Sequence, residues 1–135
     1  MDVMETVPGD RSVCLTFDDG PNPVDTPRLL EVLRRHEVRA VFFLLGQFAL
    51  KYPDIVQAIA ADGHLLGNHG MHHDDLADWP DERIEADLRE ATEAIQAAVP
   101  DRPIGYFRAP YGHWGRSPQV AAALGLRSVG WRLAG

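Results

Sequence analysis

Short apolar runs alternate along this chain with longer segments in which apolar residues recur at helical spacing. The strand-like runs occupy residues 13–17, 40–45, 64–67, 105–107 and 127–131. The helical segments occupy residues 26–36, 54–62, 81–99 and 117–124. Strands that alternate with crossover helices predict a parallel sheet with the helices packed outside it.

The number of predicted strands limits the architecture. A complete (β/α) barrel usually needs about 200 residues or more, whereas this chain has 135 residues and five strand-like runs. We therefore expect one α/β domain over residues 1–135, built as an open or incomplete (β/α) barrel. Thr26 is the expected N-cap of the first helix, because Pro27 follows it at a position that suits a first helical turn.

Composition and charge exclude several classes of protein. The net charge of −7 argues against binding nucleic acid, which needs a basic face. The single cysteine, Cys14, excludes an internal disulfide and a cysteine-rich zinc site, and we expect it to be a small buried hydrophobe in the first strand. No run is long enough to span a membrane. Residues 1–10 lack the apolar core of a signal peptide, which favours a cytoplasmic chain as given, or an extracellular one if a leader has been removed.

Two adjacent carboxylates, Asp18 and Asp19, follow the first apolar run and precede the turn at Gly20-Pro21. This places them at the carboxyl end of a strand, where α/β folds build active sites. Because neighbouring side chains on an extended chain point opposite ways, one carboxylate could bind a cation while the other faces a substrate or an arginine. Taken alone, the segment is more often an ordinary polar turn.

A histidine pair follows the third strand. His69 and His73 are four residues apart, which would put both imidazoles on one face of a helical turn. With one carboxylate they would form a three-ligand site that leaves a coordination position open, as catalytic zinc sites do. His72 lies off that face and is expected to take no part. A histidine-rich surface loop is the alternative interpretation of the pair.

An arginine and a sharp bend follow the fourth strand, in the segment from Arg108 to Gly112. A guanidinium at this edge of the sheet suits a carboxylate in the same pocket. Pro110 and Gly112 predict a bend that could aim a backbone N–H into the site as an oxyanion donor. An ordinary loop with a structural ion pair is the alternative.

Together, these three segments resemble the motifs of the polysaccharide deacetylase family, also called carbohydrate esterase family 4 or the NodB homology domain. Thr-Phe-Asp-Asp-Gly-Pro stands at residues 16–21, Gly-His-Leu-Leu-Gly-Asn-His at residues 63–69 with His73 after it, and Arg-Ala-Pro-Tyr-Gly at residues 108–112. The resemblance implies a distorted (β/α) barrel and hydrolytic removal of acetyl groups from N-acetylated sugars such as chitin oligomers or peptidoglycan.

The resemblance also implies a role for each residue. Asp19, His69 and His73 would bind one divalent metal ion, Zn²⁺ or alternatively Co²⁺. Asp18 would be the general base that takes a proton from metal-bound water, with Arg108 close by to tune it. The backbone N–H of Tyr111 would stabilise the oxyanion. From the residue types themselves we expect Tyr111, Pro110 and Trp131 to contact the glycan, with core packing as the alternative for the two aromatic side chains. An esterase acting on acetylated xylan is the alternative activity.

The chain departs from the family pattern at two places. Gly70 replaces a serine or threonine whose hydroxyl braces the metal-binding loop, so we expect a looser loop. The later motifs, including the histidine that protonates the leaving group, are absent. His113 is the residue left to substitute for that acid. The sequence therefore predicts a domain truncated at its C-terminus, or a non-catalytic module that binds metal or glycan.

Overall fold

The computed structural model describes residues 15–131, which form one parallel sheet with helices packed against it. The strands are Leu15–Gly20 (β1), Ala40–Leu44 (β2), Leu65–Asn68 (β3), Tyr106–Phe107 (β4) and Arg127–Ser128 (β5). The helices are Asp25–Arg35 (α1), Gly46–Lys51 (α2), Pro53–Ala61 (α3), Asp81–Ala98 (α4) and Ser117–Ala123 (α5). None of the described helices is long and apolar enough to cross a membrane.

The strands pair in the order in which they occur along the chain. The order is β1-β2-β3-β4-β5, and every pairing is parallel. Sequential order is the arrangement of a (β/α) barrel, whereas a doubly wound sheet reverses direction at a switch point. The prediction of an α/β fold of barrel type is therefore confirmed.

Strand β2 lies at the centre of the hydrophobic core, and both of its faces are covered. Phe42 and Leu44 pack with the helices in the larger cluster of buried residues. Val41 and Phe43 point to the other face, where they pack with Val129. Because a strand buried on both faces needs apolar residues at every position, the continuous run at residues 40–45 was a reliable signal.

Strand β1 differs from the prediction of a fully buried strand. It runs on through the two aspartates to Gly20, and Leu15 at its start is 43% exposed. Within the described sheet β1 is the first strand in the order, beside β2, so its side chains are only partly covered. Val13 and Cys14, which were assigned to this strand, lie outside the described residues.

The start of α1 and the segment after β2 also differ from the prediction. Asn22, rather than Thr26, supplies the side-chain acceptor at the helix start, since its Oδ1 accepts the N–H groups of Val24 and Asp25 at 2.8 and 2.9 Å. Thr26 lies inside the first turn and accepts the N–H of Asn22 instead. The short helix α2, Gly46–Lys51, lies between the predicted strand at residues 40–45 and the predicted helix at residues 54–62, where no element was predicted.

His64 gives the fold a predictable dependence on pH. Its Nδ1 accepts the N–H of Ala40 at 3.0 Å. Burial lowers the pKa of His64, Asp62 opposes this shift, and Arg39 and Arg34 add to it. The unfolded chain therefore binds a proton more readily than the folded one. The stability that His64 contributes is complete above the unfolded pKa of about 6.5 and is lost as the pH falls below it.

We expect the free energy of unfolding to fall from about pH 7 to about pH 5.5 and His64→Asn to flatten that fall. The asparagine oxygen can still accept the Ala40 N–H but does not titrate. Urea unfolding of the metal-free protein at several pH values measures the slope. His36→Asn, at an exposed histidine, is the control and should keep the wild-type slope. An unchanged slope in His64→Asn would contradict the assignment.

Candidate active site

A break in the strand pairing separates the two aspartates. The β1–β2 register shifts between Asp18 and Gly20, and Asp19 has φ 72, in the left-handed region. An extra residue in one strand bends the strand and re-aims a side chain. Asp18 and Asp19 consequently meet different partners at the carboxyl edge of the sheet, the first an arginine and the second two histidines.

Asp19, His69 and His73 converge on one point. Asp19 Oδ1 lies 3.1 Å from His69 Nε2 and 3.2 Å from His73 Nε2. One potential ligand atom from each residue lies within 4.8 Å of the other two. The side chains of His69 and His73 are 2% and 27% exposed, and that of Asp19 is 62% exposed. The group is therefore anchored in the protein on one side and open to solvent on the other.

The donor atoms fit a divalent metal such as zinc. Nδ1 of His69 lies 2.6 Å from the carbonyl oxygen of Arg108, so this nitrogen carries the proton and Nε2 presents its lone pair to the centre. A backbone carbonyl in this role is the usual partner of a metal-binding histidine. Burial also lowers the pKa of His69, which favours the neutral imidazole that binds metal. Two histidines and one carboxylate form a ligand set of catalytic zinc sites.

The segment from residue 69 to residue 73, which we call the metal loop, is not the helical turn expected from its spacing. Gly70 has φ 82 and His73 has φ 61, and neither value is helical. The two imidazoles nevertheless come together, with ring centroids 5.1 Å apart. The prediction that His69 and His73 are neighbours is therefore correct, and the conformation predicted to bring them together is wrong.

Gly70 allows a prediction about stability. A Cβ at this position would lie 3.2 Å from Oδ2 of Asp87, and the backbone is left-handed. We expect Gly70→Ala to lower the free energy of unfolding by about 1–2 kcal/mol, the cost of placing an L residue in this conformation. Urea unfolding of the zinc-free protein measures the change. Gly105→Ala is the matched control, because a Cβ there has nothing within 4 Å; equal losses in the two variants would contradict the explanation.

Arg108 is buried behind Asp18 and donates hydrogen bonds to residues at both edges of the described sheet, in β1 and directly after β5. Its Nη1 donates to Asp18 Oδ1 at 2.8 Å and to Thr16 Oγ1 at 2.9 Å. Nε and Nη2 donate to the carbonyl oxygens of Val129 and Gly130, at 3.1 and 3.0 Å. The guanidinium therefore holds Oδ1 of Asp18 in a fixed position and connects β1 with the segment after β5.

Tyr111 lies beside the metal loop in an unusual backbone conformation. It has φ 62 within a 3-10 turn over Pro110–Gly112, its side chain is 61% exposed, and its ring centroid is 4.6 Å from that of His73. Within residues 15–131 its backbone N–H has no hydrogen-bond partner, so among the described residues nothing competes with a ligand for this donor.

The other two residues expected to contact substrate lie in different surroundings. Pro110 is buried, and its Cγ lies 3.8 Å from the position that a Cβ at Gly70 would take, so it packs beside the metal loop, and its contact with a glycan stays a prediction. Trp131 lies beyond β5, which ends at Ser128. The Arg108 guanidinium covers one face of its indole at 4.5 Å, and the residue is 47% exposed.

His113, the candidate acid, is paired on the surface. Its Nδ1 lies 2.8 Å from Oδ2 of Asp75, and both side chains are about half exposed. Two hydrogen bonds lower the pKa of Asp75. The one with His113 has the larger effect, and the one from the N–H of Ala77 has the smaller effect. The ring of Tyr111 contacts those of both His113 and His73, with centroids 5.9 and 4.6 Å away. The ring of Tyr111 therefore lies between His113 and His73, a member of the converging group.

Sequence analysis missed two polar residues that contact the metal loop from the protein side. Asn68 donates to the carbonyl of Leu88 and to Thr92 Oγ1, and its Oδ1 accepts the N–H of Gly70. Asp87 accepts the N–H of Met71 at 3.1 Å. Asn68 precedes His69 directly, which is a local signal. Asp87 lies in the polar pattern of α4, and nothing in that pattern distinguishes it from its neighbours.

Comparisons with known proteins agree on one family. The family model described as Polysaccharide deacetylase matches residues 5–129. A chitooligosaccharide deacetylase from Sinorhizobium fredii is 42% identical over 97% of this chain and 63% of its own length. A peptidoglycan-N-acetylglucosamine deacetylase from Bacillus cereus is 41% identical over 74% of this chain and 36% of its own length.

A solved structure shows the same likeness in three dimensions. The family 4 carbohydrate esterase from Streptomyces lividans, in complex with acetate, superposes with a TM-score of 0.84 at 33% identity, and the match covers 90% of this chain and 62% of that one. The chain therefore spans less than two thirds of the length of these three relatives.

Proposed function

The chain belongs to the polysaccharide deacetylase family, and on that premise we propose that it removes acetyl groups hydrolytically from N-acetylglucosamine units of a chitin oligomer or peptidoglycan-type glycan. The observation that carries this proposal is the convergence of Asp19, His69 and His73 beside the Asp18–Arg108 pair. A ligand set and a separate carboxylate are the two parts that metal-assisted hydrolysis needs.

Asp19 Oδ1 and the Nε2 atoms of His69 and His73 would hold the metal ion, with Zn²⁺ preferred over Co²⁺. When bound, Zn²⁺ lowers the pKa of a coordinated water from about 16 to about 7 and polarises a carbonyl. Arg108 holds His69 through its carbonyl oxygen and Asp18 through its guanidinium. One residue thus sets the relative position of a ligand and the neighbouring carboxylate.

Asp18 would act as the general base. It takes a proton from the attacking water, whose oxygen forms a bond to the acetyl carbon. The carbonyl oxygen then carries negative charge, and the backbone N–H of Tyr111 is the donor we assign to it. Cleavage of the C–N bond releases acetate, and the leaving nitrogen takes up the proton that Asp18 accepted from the water. The exposed rings of Tyr111 and Trp131 would lie against the sugars next to the one that reacts.

Acetate release from an N-acetylglucosamine tetramer tests the function. The protein is assayed after chelation, after Zn²⁺ is added back, and after Co²⁺ is added back, with acetylated xylan as a parallel substrate. We expect release only with metal, and faster release from the glucosamine oligomer. Faster release from the xylan would favour the esterase alternative. Saturable glycan binding without acetate release would favour a non-catalytic module. Release from the oligomer would make His113, the candidate acid, the next residue to substitute.

A further inference from the structure

Asp87 in helix α4 is a partly buried carboxylate that the proposed reaction does not use. It lies behind the metal loop, on the side facing the protein, and its Oδ2 accepts the N–H of Met71 at 3.1 Å. Burial raises the pKa of the Asp87 carboxyl above its ordinary value, while the hydrogen bond from Met71 acts in the opposite direction. Burying a carboxylate costs free energy unless hydrogen bonds compensate for the lost solvation.

In the described chain, three residues of the metal loop make further backbone hydrogen bonds, and none of these bonds involves Asp87. The N–H of His69 donates to the carbonyl of Leu44, and the carbonyls of Gly70 and Met71 accept from the first two N–H groups of α2. The N–H of Gly70 donates to Asn68 Oδ1. Asp87 accepts the N–H of Met71, the residue midway in sequence between His69 and His73.

The loop needs such support because its backbone is intrinsically unfavourable. Gly70 and His73 both have positive φ, and a non-glycine residue held in that region costs on the order of 1–3 kcal/mol. His73 is the more exposed of the two histidine ligands, and its position depends on the path of residues 70–72. Without the bond at Met71, we expect the loop to populate conformations in which Nε2 of His73 is displaced.

The position of Asp87 next to Gly70 is consistent with support of the metal loop. A Cβ at residue 70 would lie 3.2 Å from Oδ2 of Asp87, so the carboxylate fills the place that a side chain at residue 70 would approach. Helix α4 also anchors the residue before the loop, through the bonds from Asn68 to Leu88 and Thr92. Two neighbouring turns of one helix therefore contact both ends of the turn at Gly70.

We propose that Asp87 is a positioning residue of the metal centre, which sets the separation of His69 and His73 by accepting the N–H of Met71. The proposal rests on the proposed function for the metal site itself. Asp87 acts here through its hydrogen bond and touches neither the metal nor the substrate. Because the bond needs only an oxygen acceptor, an asparagine at this position should serve nearly as well as the aspartate.

The test measures zinc affinity by chelator competition for the wild type, Asp87→Ala, Asp87→Asn and Glu90→Ala. Loss of an outer partner of a ligand typically weakens metal binding by about 10–100-fold, and we expect a loss in this range for Asp87→Ala alone. Glu90→Ala removes an exposed acid from the same helix and controls for charge. Hydrogen exchange of the Met71 amide in the zinc-free protein is the second readout, and Asp87→Ala should accelerate it while Asp87→Asn leaves it protected.

Wild-type zinc affinity in Asp87→Ala would overturn the proposal, as would an unchanged exchange rate at Met71. An Asp87→Asn variant as weak as Asp87→Ala would also overturn it, because charge rather than hydrogen-bond acceptance would then control the site. A wild-type chain that binds no zinc is a different failure, since it rejects the proposed function and the role of Asp87 with it. Unfolding curves of the zinc-free variants separate a general loss of stability from a loss confined to the loop.

Discussion

Asp18→Asn is expected to reduce acetate release from the glucosamine oligomer by about 10²–10⁴-fold in kcat, the range that loss of a general base produces. Asparagine has nearly the shape of aspartate, and its oxygen can still accept the hydrogen bond from Arg108. Asp19, His69 and His73 are untouched, so zinc affinity should stay within about threefold of the wild-type value. The measurement is kcat and KM with zinc at saturation, together with the zinc dissociation constant.

Asp78→Asn is the control, because Asp78 is an exposed acid in the loop that follows the metal loop. This variant should release acetate at the wild-type rate. Two results would contradict the role assigned to Asp18. One is wild-type kcat in Asp18→Asn. The other is a loss of activity fully explained by weaker zinc binding, which would make Asp18 part of the ligand set rather than the base.

His69→Ala should weaken zinc binding more than 100-fold, since loss of an outer partner of a ligand already costs about 10–100-fold. The substitution removes Nε2 from the centre and also the hydrogen bond between Nδ1 and the carbonyl of Arg108. Acetate release should fall with zinc occupancy and recover in part at high zinc concentration. Chelator competition gives the affinity, and a zinc titration of the activity gives the recovery.

The chain provides a matched control in His72→Ala. His72 lies in the same loop, is exposed and does not belong to the converging group, so its loss should leave zinc affinity unchanged. Because His69 is buried, the unfolding curve of zinc-free His69→Ala is recorded as well. Equal zinc affinities in the two variants would remove His69 from the proposed metal site.

The sequence predicted those parts of the fold that depend on local patterns. Strand β2 could be recognised because every position along it is buried. Helix α4 could be recognised because its buried residues recur at helical spacing. The exposure of β1 could not be predicted, since it depends on the position of the strand at the edge of the described sheet. The N-cap assignment failed because Val24 occupies that position, and the side-chain acceptor comes from Asn22, in a turn whose geometry no single residue specifies.

The candidate site was predicted by residue type and only partly by geometry. The spacing of His69 and His73 correctly indicated neighbouring side chains, yet a helical turn does not connect them, because Gly70 and His73 adopt left-handed backbone. Arg108 was expected near Asp18. Its bonds to the carbonyls of Val129 and Gly130 are contacts between distant segments, and such contacts leave no pattern in the sequence. The contact of Asp87 with the metal loop could not be predicted for the same reason.

The two sets of bonds made by Arg108 have a consequence for the order in which the site can form during synthesis. Asp19, His69 and His73 all precede residue 74 and leave the ribosome before Arg108 does. The carbonyls of Val129 and Gly130, which hold the guanidinium, leave later still. A single domain folds as a unit, and Arg108 holds His69 through its carbonyl oxygen as well as Asp18 through its guanidinium, so the candidate metal ligands and Asp18 reach their positions only after residue 130 has been synthesised. The candidate metal site and the carboxylate beside it are therefore completed together, late in the synthesis of the chain.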